Sequence, residues 1–251
     1  MIRNTISFAS WEHDKNVMKI MRIFQIGLAI LSAFPSAFGQ PNTFSRMYRP
    51  GSILYVYSQE GLSLRIAPNP KSKLIQVVPF GEAVKVTPNT KPAEPFTVSN
   101  IQGTWVKVRH NEKEGFLFDG LLSRFPPLNL ANKDSIDLQN YLRTQFRVKS
   151  EANTPPDQYK YTVYVKINFE NGISYLGESV EGTSSIRIIF PISVITFQEV
   201  FLMARLSYAD FFASNNCDYH EDKMSCNQGS NSTLSLYRTD TNYIMNFVQA
   251  N

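Results

Sequence analysis

Apolar residues along the chain follow two different periods, and the change between them divides it. From residue 53 to residue 124 the period is two, as expected of half-buried strands. Ile53-Leu54-Tyr55-Val56-Tyr57, Leu62-Ser63-Leu64-Arg65-Ile66, Leu74-Ile75-Gln76-Val77-Val78, Ala83-Val84-Lys85-Val86, Thr104-Trp105-Val106-Lys107-Val108-Arg109 and Gly115-Phe116-Leu117-Phe118 each read as a strand. Breakers separate them: Ala67-Pro68-Asn69-Pro70, Pro79-Phe80-Gly81-Glu82, and a polar turn His110-Asn111-Glu112-Lys113-Glu114. Residues 87–95 hold several prolines and read as a loop that extends toward Ile101. Short strands at this spacing predict a small barrel.

After Phe125-Pro126-Pro127 the period changes. Leu138, Tyr141, Leu142 and Phe146 share one helical face, in a helix predicted over residues 134–146 with Asp134 or Ser135 as its cap. Residues 150–157 read as a polar loop. Residues 159–169 then alternate, with Tyr161, Val163, Val165 and Ile167 on one side, and Asn171-Gly172 marks a hairpin turn to Ile173-Ser174-Tyr175-Leu176. Residues 185–190 form a further strand ended by Pro191. Thr196 with Glu199 is a capping box opening a helix to Leu206. Residues 215–232 look loop-like. Leu234-Ser235-Leu236-Tyr237 and Asn242–Val248 close the chain as paired strands. The expected fold is mostly β: a small barrel followed by an α+β domain of about five strands and two helices. The division reads 1–39 extension and export signal, 40–52 linker, 53–124 barrel, 125–133 linker, 134–251 α+β domain.

The amino terminus changes where this fold is placed. Lys19 and Arg22 precede the short apolar run Ile23–Leu31, and Ser36-Ala37-Phe38-Gly39 supplies small residues for cleavage. That is a secretory signal, with cleavage after Gly39 or, alternatively, after Ala37, and a start at Met18 or Met21. The apolar run is shorter than the ~20 residues a spanning helix needs, and no later run approaches that length. The expected location is periplasmic or extracellular. Charge adds an exclusion. The chain carries 18% charged residues and a net charge of +4, with the basic excess in residues 53–124 and an acidic excess beyond. That is too weak and too dispersed for a nucleic-acid partner.

The order of landmarks in the barrel has a family likeness. Gly61-Leu62-Ser63-Leu64-Arg65, Pro68, Leu74-Ile75, Phe80-Gly81, Gly103-Thr104-Trp105-Val106-Lys107-Val108, Gly115-Phe116-Leu117 and Leu121-Leu122 resemble the bacterial SH3 (SH3b) family. Ser63 stands where the family often has Asn, Phe116 where Trp or Tyr is usual, and the loop 87–101 is longer than typical. The second half resembles no named family. The likeness implies a binding module, with cell-wall peptidoglycan, an envelope protein or a peptide as partner. Candidate ligand-binding residues are Tyr55, Tyr57, Arg65, Trp105, Phe116 and Phe118, each with packing as the competing role.

Catalytic chemistry is hard to find. The two cysteines, Cys217 and Cys226, bracket Asp218, His220, Glu221 and Asp222. In an oxidising compartment they predict a disulfide closing a small loop; a metal site with His220 is the sharper alternative but lacks an evident fourth ligand. Neither cysteine opens a helix, where a thiol would be activated, and no Gly-rich phosphate loop or Gly-x-Ser-x-Gly elbow is present. No cofactor or metal is implied. The reading is a non-enzymatic exported adaptor, with an envelope hydrolase carrying its active site in the second half as the alternative.

Overall fold

The computed structural model describes residues 48–88, 95–98, 101–127, 138–154, 163–180, 182–213, 216–220, 222–229 and 231–250. The export signal, the residues expected to cap the first helix and Tyr161 lie outside them.

The first half is a curled antiparallel sheet. Its strands are β1 (Ile53–Val56), β2 (Leu62–Arg65), β3 (Leu74–Val78), β4 (Ala83–Val86), β7 (Trp105–His110), β8 (Lys113–Phe118) and β9 (Leu122–Ser123), in the order β3-β2-β8-β7-β4-β1-β9. Alternation puts Leu54, Val56, Leu64, Val84, Val108 and Leu117 inside. Gly81 turns with φ 79°, which a side chain disfavours. The turn after β7 is tighter than expected, with only Asn111 and Glu112 between the strands and Asn111 at φ 53°. His110 and Lys113 are thereby drawn into the ladder. The long Pro-rich segment also differs from the expected loop. It carries a separate hairpin, β5 (Phe96–Val98) and β6 (Ile101–Gly103).

The second half is built on one eight-stranded antiparallel sheet. Helix α1 (Leu138–Gln145) is followed by β10 (Val148–Thr154), β11 (Val163–Phe169), β12 (Ser174–Val180) and β13 (Thr183–Pro191). Helices α2 (Phe197–Ser207) and α3 (Ala209–Ala213) precede β14 (Cys217–His220), β15 (Lys223–Gln228), β16 (Ser232–Arg238) and β17 (Asn242–Ala250). A helical segment followed by a four-stranded meander thus occurs twice, and the last strands of the two meanders, β13 and β17, pair at the sheet centre.

The α+β class holds, with more strands than the pattern announced. The expected loop at 150–157 contributes β10, and the expected loop at 215–232 contributes the hairpin β14–β15. β10 and β14 are the sheet's edge strands, where polar residues suffice because one backbone ladder and one face are all that is buried, while β15 lies next to the edge and pairs on both sides, burying Met224 and Cys226. Inside the sheet, alternation is strict. Ile167, Tyr175, Ile188, Met245, Leu236, Met224 and Tyr219 follow one another in register across β11 to β14. The opposite row is Lys166, Leu176, Arg187, Asn246, Ser235, Ser225 and Asp218, none of it fully buried.

The helices cover the apolar face. Phe197 packs edge-on to Tyr243, Phe201 to Tyr219, and Tyr208 stacks on Phe247. Residues 198–204 of α2 are all buried, so these two turns are enclosed on every side, while Arg205 at the C-terminal end is exposed. The sheet accounts for one side and the barrel for the other.

Candidate functional site

The barrel meets α2 through a buried carboxylate. Thr196 caps α2 and the capping box forms as expected, its hydroxyl accepting from the Glu199 amide at 3.3 Å. Glu199 is 2% exposed. Its carboxylate accepts from the Thr196 amide and hydroxyl, both at 3.0 Å, and from the Arg124 amide, Nε and Nη2 at 3.0, 2.9 and 2.7 Å. Burial works to raise its pKa. The hydrogen bonds and charge of Arg124 outweigh that and hold it below the ordinary carboxylate range. Gln198 donates to the Gly120 carbonyl beside it. A further bond crosses the junction where the Tyr57 and Tyr141 hydroxyls meet at 3.2 Å, and Tyr141 donates onward to the Pro126 carbonyl at 3.0 Å. Burial pushes Tyr57 up to about 12. Both carboxylates buried among the described residues are committed structurally, since Asp119 accepts from the amide and hydroxyl of Thr104.

The β5–β6 hairpin lies over the barrel's aromatic residues. Phe96 stacks on Trp105 with centroids 5.3 Å apart and tilts against Phe118 at 4.6 Å. Trp105 is 7% exposed and Phe118 4%. The hairpin is fitted closely: a Cβ on Gly103 would lie 2.6 Å from the Gly120 amide nitrogen. On either side of the hairpin a cleft opens toward the second half. The larger, about 450 Å³, runs from Tyr57, Gln59 and Glu60 past Val98 to Leu202, Arg205 and Phe212. The smaller, about 280 Å³, lies between Ile101 and the β14–β15 hairpin.

The residues singled out from sequence are thus dispersed. Tyr57 lines the larger cleft. Trp105 and Phe118 form the floor under Phe96. Arg65 donates through Nη1 to the Ser72 carbonyl at 2.6 Å, bracing the turn before β3, and pairs in register with half-buried Phe116. Tyr55 is half-buried between Ala83 and Ser123. Cys217 and Cys226 are opposite each other in β14–β15 and are bonded as a disulfide. Neither is then a thiolate, which removes the metal alternative with His220. Sequence reasoning missed Phe96, Val98 and Ile101, whose apolar alternation inside the Pro-rich segment was the available signal.

The curled sheet, its turns and its aromatic face define a small SH3-like barrel, a fold of binding modules. Residues 60–123 match the family model of the bacterial SH3 domain, and that stretch of the chain is such a domain. No other family model matches the remainder, and no curated protein or solved structure matches the chain. Bacterial SH3 domains are in general cell-wall-binding modules. That family and the disulfide point to an extracellular or envelope location. Among the described residues no helix is long and apolar enough to cross a membrane.

Proposed function

We propose that this is an exported, non-enzymatic binding or adaptor protein, whose barrel at residues 53–124 engages peptidoglycan or an envelope peptide with the α+β half, residues 134–251, as a second interaction module. Export rests on the signal at residues 1–39. The observation that carries the binding site is the larger cleft. Tyr57 and the 58–60 turn form one wall, and α2 and α3 the other. Glu60 and Arg205 put one charge of each sign on it, and half-buried Leu206 and Phe212 supply apolar surface. A peptide bearing both charges and an apolar side chain suits that lining. Stacked Phe96 over Trp105 and Phe118 supports the cleft beside the hairpin, rather than the aromatic floor beneath it, as the binding surface.

The test is co-sedimentation of the mature protein with purified peptidoglycan sacculi. The wild-type chain pellets with them, and Ala209→Trp, which fills the cleft from an exposed position, stays in the supernatant with its circular dichroism unchanged. Equal pelleting of both proteins, or none by the wild type, rejects the site.

A further inference from the structure

The helices pack on the apolar rows of the eight-stranded sheet, and on the opposite face of β13, β15, β16 and β17 no residue is fully buried. On that face an open groove lies over β15 and β16, lined by Asp222, Lys223, Ser225, Ser235, Tyr237 and Arg238. Register explains its shape. Ser225 is opposite Ser235 and Lys223 opposite Tyr237, and residues two apart along a strand point the same way. Two short serines thus sit beside two long side chains, which leaves a depression with half-buried Tyr237 as one wall. Opposite residues are about 5 Å apart and next-but-one neighbours about 7 Å, a footprint close to that of one pyranose ring.

The polar groups around this depression are held in place but not saturated. Arg187 donates through Nε to Asn246 Oδ1 at 3.0 Å, and Asn246 donates through Nδ2 to the Tyr237 hydroxyl at 3.5 Å. Tyr237 accepts there, so its own O–H is left to donate. Neither the Ser225 nor the Ser235 hydroxyl has a partner among the described residues. Arg187, Asn246, Ser235 and Ser225 follow one another in register across β13, β17, β16 and β15. They form a strip three strand spacings long, roughly 14 Å. Its charges are of both signs, with Arg187 and Lys223 set against Asp218 and Asp222. A polyanion or a polycation meets repulsion on such a strip, whereas a neutral chain of hydroxyls satisfies donors and acceptors alike.

We propose that this strip binds a chain of unsubstituted neutral pyranose rings, one ring seated on Ser225 and Ser235 against Tyr237 and the next toward Asn246 and Arg187. The floor consists of short hydroxyls and an amide, so a ring hydroxyl reaches it directly. An N-acetyl group or a peptide stem in that position lifts the ring away, which makes the N-acetylated strands of the wall poor ligands here. The site is separate from the wall-binding cleft and does not depend on that reading.

The experiment maps amide shifts in the isotope-labelled full mature protein as cellotetraose and chitotetraose are added in turn. Cellotetraose shifts amides of β15, β16 and β17 saturably at millimolar concentration. Chitotetraose, of the same length and linkage with an N-acetyl group on every ring, acts at least fivefold more weakly. Tyr237→Phe keeps the wall and removes the donated proton, weakening cellotetraose about three- to fivefold, and Ser225→Ala with Ser235→Ala weakens it about tenfold. Ala209→Trp leaves it unchanged. Unmoved barrel amides report that each variant is folded. No saturable shift, shifts centred away from these strands, equal responses to the two sugars, or a double serine variant that binds like the wild type each overturns the proposal. A protein that fails to pellet with sacculi yet shows the cellotetraose response keeps this site and loses the other.

Discussion

The barrel and the α+β half solve the same burial problem in different ways. The barrel curls on itself, so alternate residues of its own strands meet inside, and Leu54, Leu64 and Leu117 are fully covered by their own sheet. The eight-stranded sheet does not close. Its apolar rows need a cover, which α1, α2 and α3 provide, and α2 in turn needs one on its far side, which the barrel provides. One half is self-sufficient in packing and the other is completed by its neighbour. The two clefts beside the β5–β6 hairpin lie along this junction and are lined by both halves.

The largest expected effect comes from the two cores. Phe190→Ala in β13 and Leu54→Ala in β1, both at fully buried positions, each cost about 3–5 kcal/mol. If the halves are coupled as the packing implies, both variants lower the temperature of one shared unfolding transition in calorimetry. Two transitions, each moved by one variant only, break the comparison.

Next is the link at α2. Arg124→Ala leaves the Glu199 carboxylate buried without its cation. Because Arg124 is itself 45% exposed, the cost is set at about 2–3 kcal/mol, below that of a fully enclosed pair. Chemical denaturation measures it, and a cycle with Glu199→Gln isolates the coupling. The same junction predicts a pH window. Glu199 is depressed in the folded state, so its stabilisation is present above the unfolded carboxyl value of about 4.3 and is lost as pH falls through the lower folded value. Tyr57 is raised, so its contribution is present below the unfolded value of about 10 and is lost as pH rises toward 12. Glu199→Gln flattens the acid limb of the stability profile, and Tyr57→Phe the alkaline limb. Limbs unchanged by these substitutions contradict the assignment.

Removing the disulfide with Cys217→Ser and Cys226→Ser costs about 2–3 kcal/mol by loop entropy. Hydrogen exchange rises in β14 and β15 and not in the barrel. The smallest effect is Tyr57→Phe at neutral pH, about 1 kcal/mol. It removes the hydroxyl contact but leaves Tyr141 its bond to Pro126.

The comparison also explains what was legible in the sequence. The barrel was readable because strands such as β2 and β4 bury one face against their own sheet, which prints alternation onto residues such as Leu62 and Leu64. The capping box at Thr196 and Glu199 was readable because it is a local device. The strands β10, β14 and β15 were not, because each is held by backbone pairing to the neighbouring strand of a meander, which leaves no mark on the side chains, and residues such as Ser150 and Asn227 carry little apolar signal. The candidate site fared worst. A strand pattern says which residues are aromatic and alternate, not that Phe96 will fold back over Trp105 and Phe118. Nor does it say that the second half of Glu199's capping box will face Arg124.

The surface shared by Tyr57, Glu60 and Arg205 is the proposed site for an envelope peptide. The most direct measurement titrates soluble muropeptides into isotope-labelled mature protein and maps amide shifts. Saturable shifts confined to residues 57–60, the β5–β6 hairpin and the α2–α3 segment, abolished by Ala209→Trp, are expected. Shifts that cluster elsewhere, such as along the exposed edge strand β3, or no shifts at millimolar muropeptide, contradict it.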